Sequence, residues 1–131
     1  MISRTNPELV WGHFLPMIEK GLAHGQGDSM APCHVLEALK SGHMDMLVSH
    51  EGEELKGAAI IEITRFPTKL VLFVVLLIGE RLSDWVDEME QALIDYRDAI
   101  GADCIEASCR DGLVRVLNKR GWKRKATILT I

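Results

Sequence analysis

Glu62 and Glu106 each fall inside an apolar run of strand type, Ile60-Ile61-Glu62-Ile63 and Cys104-Ile105-Glu106-Ala107. Beside an apolar strand the charged form of a carboxylate is disfavoured. Its pKa rises, and it becomes suited to taking a proton from an amine. His50 is a third residue with the chemistry of a general base. The plainer reading of all three is a polar group on a partly solvated strand face. Glu62 is the residue to carry forward as catalytic base should the chain be an enzyme. Cys109 stands beside Arg110 near an expected helix start, where a thiol pKa can fall. A nucleophile also needs a positioned base and oxyanion donors, and no pattern in the sequence places them, so an inert thiol is expected. His13, His24, His34, His43 and His50 lack the i, i+4 spacing that sets two ligands on one helical face, and the adjacent Cys33 and His34 point apart. No metal site is expected.

Charge supplies a second kind of chemistry. Between positions 110 and 125 lie Arg110, Arg115, Lys119, Arg120, Lys123, Arg124 and Lys125, against the single acid Asp111. Between 84 and 98 the balance reverses: Asp84, Asp87, Glu88, Glu90, Asp95 and Asp98 face only Arg97. With a net charge of −4 there is no global basic field to draw the chain onto nucleic acid. The basic segment alone can meet a phosphate backbone, Arg115 and Lys119 being neighbours on one helical face. It can equally meet the acidic helix of another copy, and head-to-tail contacts of that kind close into rings when the rotation permits. A solvated face is the default for either run.

The elements that must hold these residues follow from apolar periodicity. The 131 residues fit one domain, 1–131, and 47% apolar residues suffice for a core. Residues 2–4 read as a short strand. Asn6 caps a helix with Pro7 in its first position, and Val10, Phe14, Met17 or Ile18, and Leu22 recur at helical spacing. Pro16 is expected to kink or split that helix, and Gly21, Gly25 and Gly27 to loosen the chain after it. A second helix starts near Pro32, buries Val35, Leu36 and Leu39, and stops at Gly42. Residues 45–50, 55–65 and 69–78 read as three antiparallel strands joined by turns at 51–54 and 66–68. The last is apolar on both faces and is expected in the centre of the sheet. Ser83 caps a long helix to about Ile100, with Trp85, Met89, Ala92 or Leu93, Tyr96 and Ile100 on its buried stripe and acids outside. Gly101 ends it. A strand at 104–107, a helix at 112–120 and a final strand at 123–131 complete the order β-α-α-β-β-β-α-β-α-β.

Three cysteines cannot all pair and form no Cys-x-x-Cys, which fits a reducing compartment. No basic leader with an apolar core opens the sequence, so a cytoplasmic location is expected. The longest apolar run, 70–78, is nine residues, about half of the ~20 that cross a bilayer as a helix. No membrane association is expected.

This order resembles the GNAT (N-acetyltransferase) superfamily over essentially the whole chain, a mixed, mostly antiparallel α/β (α+β) sheet flanked by helices. The most specific piece is Leu113-Val114-Arg115-Val116-Leu117-Asn118-Lys119-Arg120-Gly121-Trp122, similar to the superfamily's helix closing on a Lys/Arg-x-Gly-aromatic turn. Within the superfamily it resembles small GNAT-like proteins encoded by bacteriophages. In those a Gly-Arg-x-Gly-Trp element precedes the last helix. Here Cys109-Arg110-Asp111-Gly112-Leu113 keeps the Arg and the second Gly and changes the first and last residues. Arg65-Phe66-Pro67-Thr68 also fits that group.

The resemblance implies acetyl-CoA, whose pyrophosphate the family grips with a Gln/Arg-x-x-Gly-x-Gly/Ala turn opening the long helix. Backbone N–H groups and the helix dipole point at the phosphates there. The matching segment, Ile78-Gly79-Glu80-Arg81-Leu82-Ser83-Asp84-Trp85, has one glycine, misplaced. Gly79, Arg81 and Ser83 are the cofactor-binding residues that carry over. Glu80, Asp84 and Asp87 stabilise a helix start, each by ~0.3–1 kcal/mol, and repel a dianion at the same spot. The family's Asn, Ala and proton-donating Tyr of the last helix correspond to Arg110, Leu113 and Leu117. Leucine transfers no proton, and the single tyrosine, Tyr96, lies on the preceding helix.

The expectation is therefore a GNAT-fold protein that binds no cofactor and serves as a non-catalytic assembly component of phage type, in the host cytoplasm or the virion. Its partners would be protein subunits meeting Arg110, Arg115, Lys119, Arg120, Lys123, Arg124 and Lys125 or Asp84, Asp87 and Glu88. The alternative is an acetyl-CoA-dependent N-acetyltransferase with an atypical pyrophosphate loop and Glu62 or a water as base. A third reading is a nucleic-acid-binding or host-directed inhibitor acting through the basic segment.

Overall fold

The computed structural model describes residues 1–24 and 29–131, the side chain of His24 excepted, so the loosening expected at Gly25 and Gly27 lies outside the described residues. In chain order the elements are β1 (Ile2–Arg4), α1 (Pro7–His24), α2 (Pro32–Ser41), β2 (Met44–Glu51), β3 (Glu54–Arg65) and β4 (Leu70–Gly79). A single 3₁₀ turn (Leu82–Asp84) leads into α3 (Val86–Ile100), β5 (Cys104–Ala107) and α4 (Asp111–Lys119).

Local chemistry sets the ends of the helices. The Glu8 amide donates to Asn6 Oδ1 at 3.0 Å, the cap that leaves Pro7 in the first helical position. Gly42 and Gly101 close α2 and α3 at φ 85° and 72°, where a side chain would be strained. Pro16 does not split α1, which runs unbroken from Pro7 to His24. A proline in a helix interior costs about 3 kcal/mol. Here Phe14 and Ile18, both fully buried, anchor the helix on either side of it.

The sheet runs β1-β2-β3-β4-β5, antiparallel through β4, with β5 parallel to β4. One face packs Met46, Val48, Ala58, Ile60, Leu76 and Ile78 against α1 and α2. The other packs Leu47, Ala59, Ile61, Leu72 and Val74 under α3. Being covered on both sides is why β4 is apolar throughout.

Two expectations on the sheet fail together. Residues 123–131 form no strand, so β5 is the edge and β3, not β4, lies in the middle. A strand exists only where a ladder can form, and the four residues of β5 offer a short one.

Candidate functional site

The sheet splits where β4 outruns β5. Pairing covers only Val71–Val74 against Cys104–Ala107. Between the Ile60–Leu76 and Ile61–Val74 pairs, Val75 is an extra residue on β4, a bulge that bends the strand. Among the described residues, no strand lies beside that edge of β4 from Val75 to Gly79. The gap is a cleft of about 230 Å³, walled by β4, by Met17, Lys20 and Gly21 of α1, and by Ser108, Cys109 and Arg110 after β5. An exposed strand edge of this kind hydrogen-bonds an extended ligand that carries amides.

Past the Gly79 end of this edge, Trp85 packs with the core on the α3 side of the sheet. Its indole is 2% exposed and lies over the facing pair Gly57 and Gly79. A Cβ at Gly57 would come within 2.2 Å of Trp85 Cζ2, and one at Gly79 within 2.9 Å of the same atom. Trp85 Nε1 donates to the Glu80 carbonyl at 2.9 Å. The Glu80 amide goes to the Lys56 carbonyl at 3.3 Å, Asp84 N–H to Arg81 O at 2.9 Å, and Trp85 N–H to Leu82 O at 3.1 Å. Three amides of the turn are thus spent on the protein itself. Gly79 is needed at φ 142°, where a Cβ would meet the Gly57 Cα and the Lys56 carbonyl at 2.6 Å before it met the indole. Arg81 holds a left-handed φ of 49° and is exposed. Ser83 makes no cap: the 3₁₀ turn delays α3 until Val86, and Trp85 takes the N-cap position.

The candidate bases are placed unequally. Glu62, Phe73 and Glu106 lie in one cross-strand row within the β4–β5 ladder, at the end of the cleft away from Gly79. Glu62 is half-buried on the α1/α2 face, as its parity with Ile60 requires. Glu106 is gripped by Lys125 and by Lys69, the latter at 3.2 Å. Hydrogen bonding from Lys125, then from Lys69, outweighs burial and holds its carboxyl below the ordinary value of 4.5, so it is a poor base. His50 is taken up far from the cleft, Nε2 by Ser3 Oγ at 2.8 Å and Nδ1 by the Gly52 carbonyl at 3.0 Å. Tyr96 donates to Asp45 Oδ2 at 3.1 Å and has no access to the cleft; burial, then Asp45, pushes its pKa up. Cys109 borders the cleft, but burial raises its thiol pKa, opposite to what a nucleophile needs.

The two charged faces partly cancel within the molecule. Arg120 binds Asp87 at 2.7 Å and Glu90 at 2.6 Å, and Trp122 Nε1 donates to Glu90 Oε1 at 2.7 Å. Burial pushes Glu90 up, yet hydrogen bonds from Arg120 and Trp122 prevail and its carboxyl titrates below 4.5. Glu88 pairs with the Met1 ammonium at 2.7 Å. Arg120, Asp87, Glu88 and Lys125 are thus engaged within the molecule, the last three at exposed positions. Arg110, Arg115, Lys119, Lys123 and Arg124 are exposed. This internal clamp was beyond sequence reasoning, since it joins positions 30 apart. No His, Cys, Asp or Glu cluster among the described residues is suited to a metal, and no described helix is long and apolar enough to cross a membrane.

Neither a family model nor a curated relative matches the sequence. Solved structures do match the backbone. A mutant of a Bacillus halodurans protein aligns over 100% of this chain and 98% of its own, with TM-score 0.80 and 16% identity. A ribosomal-protein-alanine N-acetyltransferase from Brucella melitensis gives 0.73 at 11% identity, over 100% and 97%. A predicted acetyltransferase from Clostridium acetobutylicum, solved with acetyl-CoA, gives 0.74 at 11%, over 100% and 94%. The chain has a GNAT-like fold. At these identities the likeness reaches the fold and stops there.

Proposed function

We propose that this chain is a GNAT-fold protein without acetyl transfer, acting as a binding component of a larger assembly of bacteriophage type, in a virion or its construction. The observation that carries the reading is the filled turn between β4 and α3. Trp85 occupies the space over Gly57 and Gly79, and the amides of Glu80, Asp84 and Trp85 bond within the protein. Glu80, Asp84 and Asp87 add carboxylates where a pyrophosphate would need donors. These residues do not fit the phosphate end of acetyl-CoA. Leu113 of α4 lines the cleft and carries no proton donor, and Leu117, one turn on, is equally apolar. The phage setting rests on the resemblance around Arg110, Gly112 and Arg65-Phe66-Pro67-Thr68.

A second reading, an N-acetyltransferase with an atypical loop, is favoured by one observation: the 230 Å³ cleft leaves the Val75–Gly79 edge open. Glu62 or a water would then be the base. Release of coenzyme A thiol from acetyl-CoA, followed over a panel of amines, separates the two. The first reading predicts the uncatalysed rate for every amine. Amine-dependent turnover would establish the second, and Glu62→Gln then tells Glu62 from a water as its base.

A further inference from the structure

Where β4 outruns β5, main-chain groups are left without a ladder. The Glu80 amide donates to the Lys56 carbonyl, one step beyond the Gly57–Gly79 pair. Main-chain groups alternate in direction along an antiparallel strand. Those of Ile78 therefore turn to β3, and those of Leu77 and Gly79 turn away from it, into the cleft. β5 stops pairing at Val74, and among the described residues no strand takes up the Leu77 N–H and C=O. From Val75 to Gly79 this edge runs about 13 Å, room for roughly four extended residues.

A strand laid along it sends alternate side chains to opposite faces of the sheet, and the two faces differ in chemistry. Toward α1 the cleft of about 230 Å³ is bordered by Met17, Met30 and Lys20, with Arg110 beyond the end of β5. Lys20 and Arg110 are exposed, and among the described residues neither is in an ion pair. The one acid on that wall is Glu80. Toward α3 and α4 lies a second cavity of about 20 Å³, under Met89, Leu93 and Trp122. It shares Leu77, Ser108, Cys109 and Leu113 with the cleft, so the two are contiguous. Its single charged lining residue, Glu90, is already held by Arg120 and Trp122. A space of that size takes about one methyl group.

We propose that the cleft is a docking slot for an extended segment of a partner protein, added to the β4 edge as a strand. Its acidic side chains turn to Lys20 and Arg110, and the alternate, alanine-sized ones turn to the small cavity. Main-chain hydrogen bonds supply the affinity, and the two unlike pockets supply the specificity. The proposal deepens the assembly reading above, which it needs for its setting, by naming the site and the chemistry of what it holds.

The probe is the blocked peptide acetyl-Glu-Ala-Glu-Ala-amide, titrated into the isotope-labelled full chain at low ionic strength and followed by amide chemical shifts. Two further peptides carry N-methyl groups, one on both glutamates and the other on both alanines. Only every second N–H of a strand faces a given neighbour, so one isomer should lose binding and the other keep it. The expected result is saturation with a Kd of about 1 mM or tighter, with the largest shifts at Leu77 and Gly79. Lys20→Glu combined with Arg110→Glu should weaken binding at least about tenfold. Both sites are exposed, so this variant should keep the parent's circular dichroism. No saturable shift at Leu77 up to about 10 mM peptide overturns the proposal. Equal binding of the two N-methylated isomers also overturns it, since no ladder is then formed. So does equal binding of acetyl-Lys-Ala-Lys-Ala-amide, which carries the wrong charge. Thiol release from acetyl-CoA is a separate readout: turnover defeats the non-catalytic reading whatever the peptides do, and a silent Leu77 defeats the docking slot alone.

Discussion

Replacing Gly57 by alanine tests whether Trp85 is wedged over the turn between β4 and α3. The new Cβ would lie 2.2 Å from Trp85 Cζ2 and 2.5 Å from Cε2. The indole is buried and rigid, so it must swing away, and Nε1 then parts from the Glu80 carbonyl now 2.9 Å distant. Over-packing of this kind costs about 1–3 kcal/mol. Losing a neutral hydrogen bond adds about 0.5–1.5 kcal/mol. The sum is roughly 2–4 kcal/mol, which for a domain of this size lowers Tm on the order of 10 °C. Thermal and urea unfolding followed by circular dichroism measure it. In a Trp85→Phe background the smaller ring leaves room, so the same alanine should cost less, and the double-mutant cycle isolates the contact. A Gly57→Ala protein within about 0.5 kcal/mol of the parent would refute the wedge and the argument built on it.

Gly12→Ala is the matched control: it lies exposed in α1 with nothing within 4 Å of an added Cβ, and should stabilise by about 0.5–1 kcal/mol in the same melts. Glu90 and Glu106 are both held below their ordinary 4.5. Their contribution is complete above that value and is lost as pH falls through the folded-state pKa. Unfolding measured against pH should therefore show stability falling on acidification below about pH 4.5, and Glu90→Gln should flatten that limb; an unchanged limb would remove Glu90 from the clamp. Among the three thiols, exposed Cys33 should alkylate first at mildly alkaline pH, and Cys109, its pKa raised by burial, more slowly than a free thiol. Peptide mapping by mass spectrometry reads the order, and a fast Cys109 would reopen the case for a nucleophile.

Much of the fold was legible because it is written in short-range signals. Asn6-Pro7, Gly42 and Gly101 mark helix ends by backbone chemistry that needs no distant partner, and the apolar run of β4 announces a strand covered on both faces. Of the kink or split expected at Pro16, the split did not occur, because the local cost of a proline says nothing of Phe14 and Ile18 anchoring the helix around it. Residues 123–131 misled for the converse reason: they have strand composition, but composition cannot supply a ladder. In the site, the misplaced Gly79 and the acids around it were legible as a departure from the glycine-rich turn. The reason Gly79 is a glycine was not legible, since it depends on Gly57 lying opposite and an indole lying over both. Glu106 looked like a base by its apolar neighbours, and only the fold brings Lys69 and Lys125 onto it.

The central claim, that the turn after β4 cannot hold a pyrophosphate, is tested most directly by calorimetric titration of acetyl-CoA into the full chain at low ionic strength, where phosphate contacts are strongest. The account predicts no saturable heat up to about 1 mM ligand. Saturable binding at micromolar concentration, lost on Arg81→Ala, would contradict it and return the chain to the acetyltransferases.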